Sequence, residues 1–165
     1  MLAIGSPVPG LTVRPIRPDD KAQLAAGLAL LSEASIYRRF LAPKPRFTTT
    51  ELRYLTEVDG LDHAALVAVD RTGALVAVGR YVRSQTDPES AEVAVVVADH
   101  LQGRGVGTWL GLQLADRARA AGILHFTAIM LPDNTAALRL LTRISAHLRT
   151  SYHDGVRELI ADLAA

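Results

Sequence analysis

A single α/β domain on a mixed, mostly antiparallel sheet of about seven strands, with helices on both faces, is predicted by three observations. Strand-length apolar blocks recur along the chain, each bounded by glycine, proline or aspartate. Between them the apolar period switches from two to about 3.6 residues. One strand, Ala91 to Val97, runs into a glycine-rich turn that opens a long amphipathic helix, the signature of a crossover within a sheet.

The elements follow in order. Residues 1–10, with Pro7, Pro9 and two glycines, read as a loose lead-in to a domain spanning 11–165. Leu11 to Ile16 reads as a first strand. After Pro18-Asp19-Asp20, Leu24, Leu28 and Leu31 form a helical stripe, and Ser32 caps a short second helix over Ile36, Tyr37 and Phe40. Pro43 and Pro45 end it, and Thr50 to Val58 is a third helix. Ala64 to Val69 and Leu75 to Val82 are strands joined by the turn sequence Asp70-Arg71-Thr72-Gly73. Gln85 to Ser90 is a polar loop before the fourth strand. The crossover helix runs from about Gly105 to Ala121, burying Leu110, Leu114 and Ala118, with Gly122 as its stop. Ile123 to Leu131 is a strand and Asp133 to Ala146 a helix with Leu138 and Leu141 on one face. Leu148 to Tyr152 and Val156 to Leu163 pair about His153-Asp154-Gly155.

Composition narrows the function classes. The chain has 165 residues, enough for one sizeable core, and 18 basic side chains balance 17 acidic ones. That balance gives no electrostatic footprint for nucleic acid. No apolar run approaches a membrane span, and the early Arg14 and Arg17 argue against a signal peptide. With no cysteine there is no disulfide, thiolate nucleophile or cysteine–zinc site, and the chain suits the cytoplasm. The histidines at 63, 100, 125, 147 and 153 show no metal-ligand spacing, so no metal is expected.

The richest stretch is Gln102-Gly103-Arg104-Gly105-Val106-Gly107-Thr108. Strand, glycine turn and helix in that order aim main-chain N–H groups and a helix's positive end at one spot, which suits a diphosphate. A P-loop needs Lys-Ser or Lys-Thr after its last glycine, and Thr108-Trp109 follows here. A dinucleotide fingerprint needs a small residue at the position held by Leu110. What fits is Gln102-x-x-Gly105-x-Gly107. Trp109 and Leu110 read as core residues, and Arg104 offers its N–H more surely than its side chain.

This pattern, between a fourth strand and a helix, resembles the coenzyme A motif of the GNAT superfamily of N-acyltransferases. The element order from Ala91 to Ala146 and the position of Asn134 are also similar to that family. The resemblance implies a fourth and fifth strand that splay apart and acetyl-CoA as acyl donor. Its pantetheine arm would lie along the fourth-strand backbone at Val95, Val96 and Val97. The phosphates would sit on Gln102, Gly103, Arg104, Gly105, Val106, Gly107 and Thr108, and Asn134 would bond pantetheine. It implies Glu92 as general base, with Glu89 in the preceding loop as competitor, and a fourth-strand N–H near Val95 for the oxyanion. The family's tyrosine acid would fall at Leu141, so that role is unfilled. Tyr152, Ser145 or water are the substitutes, and a thiol leaving group makes an acid dispensable.

Ser32-x-x-Ser35-x-Tyr37-x-Arg39-Phe40 is similar to the catalytic domains of bacterial protein lysine acetyltransferases, which implies a protein lysine as preferred amine acceptor. Two alternatives stay open. One is acetylation of a small amine, such as a polyamine or an antibiotic; the other is a non-catalytic acyl-CoA-binding module. A monomer or a homodimer is expected.

Overall fold

The computed structural model describes residues 5–163. Residues 1–4 of the expected lead-in, and the last two of the expected domain, lie outside the described residues. The described strands are β1 (Thr12–Pro15), β2 (His63–Val69), β3 (Leu75–Arg83), β4 (Ser90–Val97), β5 (His125–Met130), β6 (His147–His153) and β7 (Val156–Asp162). The helices are α1 (Lys21–Leu30), α2 (Glu33–Phe40), α3 (Thr49–Thr56), α4 (Val106–Ala120) and α5 (Thr135–Ile144). Every expected element is present, with ends shifted by a few residues.

The strands form one seven-stranded sheet in the order β1-β2-β3-β4-β5-β7-β6. Only β4 and β5 run parallel; all other pairs are antiparallel. The crossover through α4 forces that one parallel pair, because a strand rejoined through a helix returns in the same direction. The last hairpin inserts β7, not β6, beside β5.

The two faces bury different things. Leu110, Leu114 and Ala118 of α4 are fully buried against Tyr81, Phe126 and Leu159 of the sheet, in a cluster completed by Leu140, Leu141 and Ile144 of α5. Leu140, Leu141 and Ile144 are the buried residues of α5, and Leu138, partly buried, packs against the same core as expected, one turn from Leu141. On the other face α1 and α3 cover β1 to β3 through Ile16, Leu24, Ala65, Val67 and Val78. The described part of the lead-in is anchored rather than loose: Val8 is buried in the α4-side core and Pro7 lies against Gly105. Among the described residues no helix is long and apolar enough to cross a membrane.

Candidate active site

The parallel pair is short. β4 and β5 are in register only at Ser90↔His125, Ala91↔Phe126 and Glu92↔Thr127. β3 meanwhile stays paired with β4 as far as Val97. Beyond Glu92 the two strands fork, and β4 has an open side. Which groups it exposes follows from alternation in an antiparallel pair. Ala98 N donates to Val76 O, and Ser90 O accepts from Ser84 N, so even-numbered residues of β4 turn their main-chain groups toward β3. Val93, Val95 and Val97 therefore turn theirs into the fork. Val96 lines the opening, but its backbone is committed to β3, which sets it apart from its neighbours.

The fork opens into a groove of about 500 Å³ walled by α2, β4, the glycine loop, β5 and α5. At its far end the chain leaves β4, makes a 3₁₀ turn at Asp99–Leu101 and enters the loop. Gly103 and Gly105 hold φ of 76° and 85°, a left-handed conformation that a Cβ disfavours. Gly107 is ordinary helix, and a Cβ there would come within 3.4 Å of Leu140 and 3.7 Å of Val95. Its role is close approach of α4 to β4. Gly105 caps α4 with no side-chain bond. Among the described residues, the main-chain N–H groups of Gly103 through Thr108 have no hydrogen-bond partner, and the first helical bond is Trp109 N to Gly105 O, 3.0 Å. An uncapped turn of donors at a helix's positive end is an anion seat.

Two side chains tie the groove together. Gln102 Nε2 donates to Val97 O and to Ser35 Oγ, both at 3.0 Å. Ser32 caps α2 by accepting from Ser35 N at 3.1 Å, and its own N–H reaches Asp99 at 3.3 Å. The two serines thus clamp α2 onto the loop. Asn134 caps α5, its Oδ1 accepting from Ala137 N at 3.2 Å, and it lines the groove.

Of the sequence-predicted site residues, Glu92, Val95, Val96, Val97, Gln102, Gly103, Gly105, Val106, Gly107, Thr108 and Asn134 all line this one groove. Arg104 does not; it contributes only its place in the loop. Glu89 is also outside the lining, its carbonyl holding Leu124 N and His125 N at the root of the fork. Leu141 lines the groove as an apolar wall, whereas Tyr152 is exposed on the outer hairpin and Ser145 ends α5 away from the lining. Of the arginines of the rim, sequence reasoning singled out Arg39 of α2 as part of the acceptor-side pattern and missed Arg38 from α2 and Arg139 and Arg143 from α5. The four-residue spacing of the last pair was the available signal for a shared helix face.

Glu92 is exposed near the root of the fork, its side chain on the face of α2 rather than α4. Arg39 is half-buried beside it, and burial lowers its pKa while Glu92 opposes that shift. Below lies Arg80, 6% exposed, with Nη1 3.0 Å from Leu55 O and 2.9 Å from His63 Nε2. Burial, then Arg39, pushes the Arg80 pKa down to about 10. A guanidinium only donates, so His63 Nε2 accepts and the ring is neutral with its proton on Nδ1. Burial and then Arg80 push the His63 pKa down to about 4. His125 instead meets Asp162 at 2.7 Å. Among the described residues no group of three acidic, histidine or cysteine side chains is placed to hold a metal.

A forked parallel pair with a donor-lined loop at its end defines an acyl-coenzyme A transferase architecture, and the chain belongs to the GNAT acetyltransferase family. The family's domain, described as Acetyltransferase (GNAT) domain, matches residues 10–147. Acetyltransferase Pat of Mycolicibacterium smegmatis is 36% identical over 135 residues, 81% of this chain and 40% of that protein. The chain thus spans about two fifths of that relative's length. The solved GNAT domain of S. lividans PAT is 35% identical, with a TM-score of 0.83 over 92% of this chain and 89% of that one. A cAMP-binding acyltransferase from Mycobacterium smegmatis is 30% identical, with a TM-score of 0.66 over 94% of this chain and 44% of that one.

Proposed function

We propose that this domain transfers the acetyl group of acetyl-CoA to a primary amine, with a protein lysine as preferred acceptor and Glu92 as general base. The observation that carries the reading is the fork: past the last paired position, Glu92↔Thr127, one groove joins the β4 backbone at Val95 to unpaired N–H groups at Gly103 to Thr108. Its two ends match a donor with an amide-bearing arm and a diphosphate. The arm adds to β4 as a strand would, by main-chain hydrogen bonds. Asn134 presents its amide N–H₂ to that arm, because its oxygen is engaged in the helix cap.

The thioester then lies near the root of the fork. A lysine amine, protonated near ~10.4 when free, must lose a proton before or as it attacks. Glu92 takes that proton directly or through one water. The amine nitrogen bonds the carbonyl carbon, and the oxyanion takes a hydrogen bond from the N–H of Val95. The C–S bond breaks, and the coenzyme A thiolate leaves and is protonated from water, since Leu141 supplies nothing. The lysine preference rests on the resemblance of Ser32-x-x-Ser35-x-Tyr37-x-Arg39-Phe40 to the catalytic domains of bacterial protein lysine acetyltransferases. A cysteine-free chain suits the reducing cytoplasm, where we place the reaction.

The test is thiol release from acetyl-CoA with a panel of lysine peptides, polyamines and aminoglycosides. Glu92→Gln should lower kcat by about 10²- to 10⁴-fold with little change in KM for acetyl-CoA. Unchanged turnover in Glu92→Gln would remove Glu92 from the chemistry. Coenzyme A binding with no amine acylated would favour a binding module instead.

A further inference from the structure

We propose that Arg39 is a positioning residue for the transfer reaction, its guanidinium facing Glu92 across the acceptor end of the groove and keeping that carboxylate ionised once the substrates are bound. The inference rests on the reading of Glu92 as general base.

Arg39 lies in the last turn of α2, a helix clamped to the glycine loop by Ser32, Ser35 and Gln102, so its Cα is fixed relative to β4. Its side chain is half-buried, and among the described residues it makes no ion pair. Its guanidinium carbon sits 4.9 Å from the Phe40 ring. A desolvated cation without a direct counter-ion is costly, and such groups mark sites of function.

Arg80 is buried, held by the α3 carbonyl of Leu55 and by His63, and has no carboxylate partner among the described residues. Two like charges repel, and Arg80 is the one that is fixed. Glu92, which lines the same groove, is the carboxylate whose charge favours the ionised form of Arg39.

The other charged or titratable groups around Glu92 are few. Arg38 shares α2, and Arg80 is its diagonal neighbour on β3. On β5, His125 is taken by Asp162. From α4, packed on the opposite face of β4, none lines the groove. Asp133, Arg139 and Arg143 line the end of the groove near α5.

Glu92 is open to water in the free protein. Donor and acceptor strip that water, and desolvation favours the protonated, inactive acid. A cation held beside the carboxylate offsets this at the moment the base is required. The consequence is a pH signature. Without Arg39 the bound-state base titrates higher, so activity is lost at low pH and recovered at high pH.

The experiment is kcat against pH, from about pH 6 to 9, at saturating acetyl-CoA and lysine peptide, for the wild type, Arg39→Gln, Arg39→Lys and Glu92→Gln. Arg39→Gln should move the acid limb up by about one pH unit, a roughly tenfold loss on the limb that vanishes on the plateau. Arg39→Lys should restore most of it. An equal loss at every pH, or a rise in acceptor KM with the limb in place, overturns the proposal. Glu92→Gln separates the two readings. If it leaves the limb intact, Glu92 is not the base and the Arg39 role falls with it. If it abolishes the limb while Arg39→Gln does not shift it, only the Arg39 role falls.

Discussion

Replacing Gly105 with alanine tests whether the glycine loop is a binding device or only a connector. At φ 85° an L-residue costs about 1–2 kcal/mol. Steric overlap adds little, since the nearest atom to a new Cβ is Pro7 Cβ at 3.5 Å. Where the cost appears depends on what holds the turn. The N–H groups from Gly103 to Thr108 bond nothing among the described residues, so the free loop can relax out of the strained conformation. The cost is then met when a diphosphate demands that conformation, and Kd for coenzyme A rises about 5- to 30-fold. Gly122→Ala is the control. Gly122 has nearly the same φ, 80°, with no atom within 4 Å of a new Cβ, but its turn is locked by Gly122 N to Arg119 O and Ile123 N to Ala118 O. There the same about 1–2 kcal/mol should appear as lost stability, with coenzyme A affinity unchanged. Calorimetric titration with coenzyme A and urea unfolding read the two quantities. Normal binding by Gly105→Ala, or weakened binding by Gly122→Ala, would refute the reasoning.

Other outcomes are equally specific. Asn134→Asp keeps the oxygen that caps α5 but loses the amide donor, so KM for acetyl-CoA should rise with the melting temperature nearly unchanged; Asn134→Ala should also lose about 1 kcal/mol of stability. Asp20 is buried, accepts from both Arg14 Nη atoms at 2.8 and 2.7 Å and from Arg17 N at 2.7 Å, and its pKa is lowered chiefly by the Arg14 hydrogen bonds. Asp20→Asn should cost about 3 kcal/mol at neutral pH. Because the folded-state pKa is the lower one, that advantage is present above about pH 4 and shrinks as the wild type is acidified through it, which urea midpoints at two pH values would show. For His63, with a folded pKa near 4, the unfolded chain takes up the proton first on acidification. The wild type should lose stability between about pH 6.5 and 4, and His63→Gln, which still accepts from Arg80, should flatten that window.

The parts of the site carried by one contiguous stretch were legible before the structure. Strand, glycines and helix from Ala91 to Ala121 announce themselves because each needs a different residue type, and Ser32 is recognisable as a cap from local spacing alone. What could not be read is what depends on distant segments meeting. Arg39 and Glu92 are far apart in the chain and converge only because α2 packs beside β4. The β4–β5 pairing ends after Glu92↔Thr127, and no local pattern encodes that point. A hairpin sequence at Asp154-Gly155 says that β6 and β7 pair, but not which of them abuts β5. Gln102 was expected at the phosphates as part of a motif. Its side chain stitches the loop to Val97 and Ser35, a role visible only in three dimensions.

The fork also bears on how this sheet avoids its neighbours. An unpaired strand edge is an invitation to another chain, and proteins usually blunt it at the rim. Here the outer rims are a four-residue β1 ending at Pro15 and a polar β6, while the most receptive edge, Val93 to Val97, lies inside the sheet. A foreign peptide strand carries side chains on both faces and would meet α2 on one side and α4 on the other. A thin arm whose thiol-bearing half is unbranched carries none there. The interior edge is thus sheltered from aggregation by the same walls that leave it open to a slender ligand.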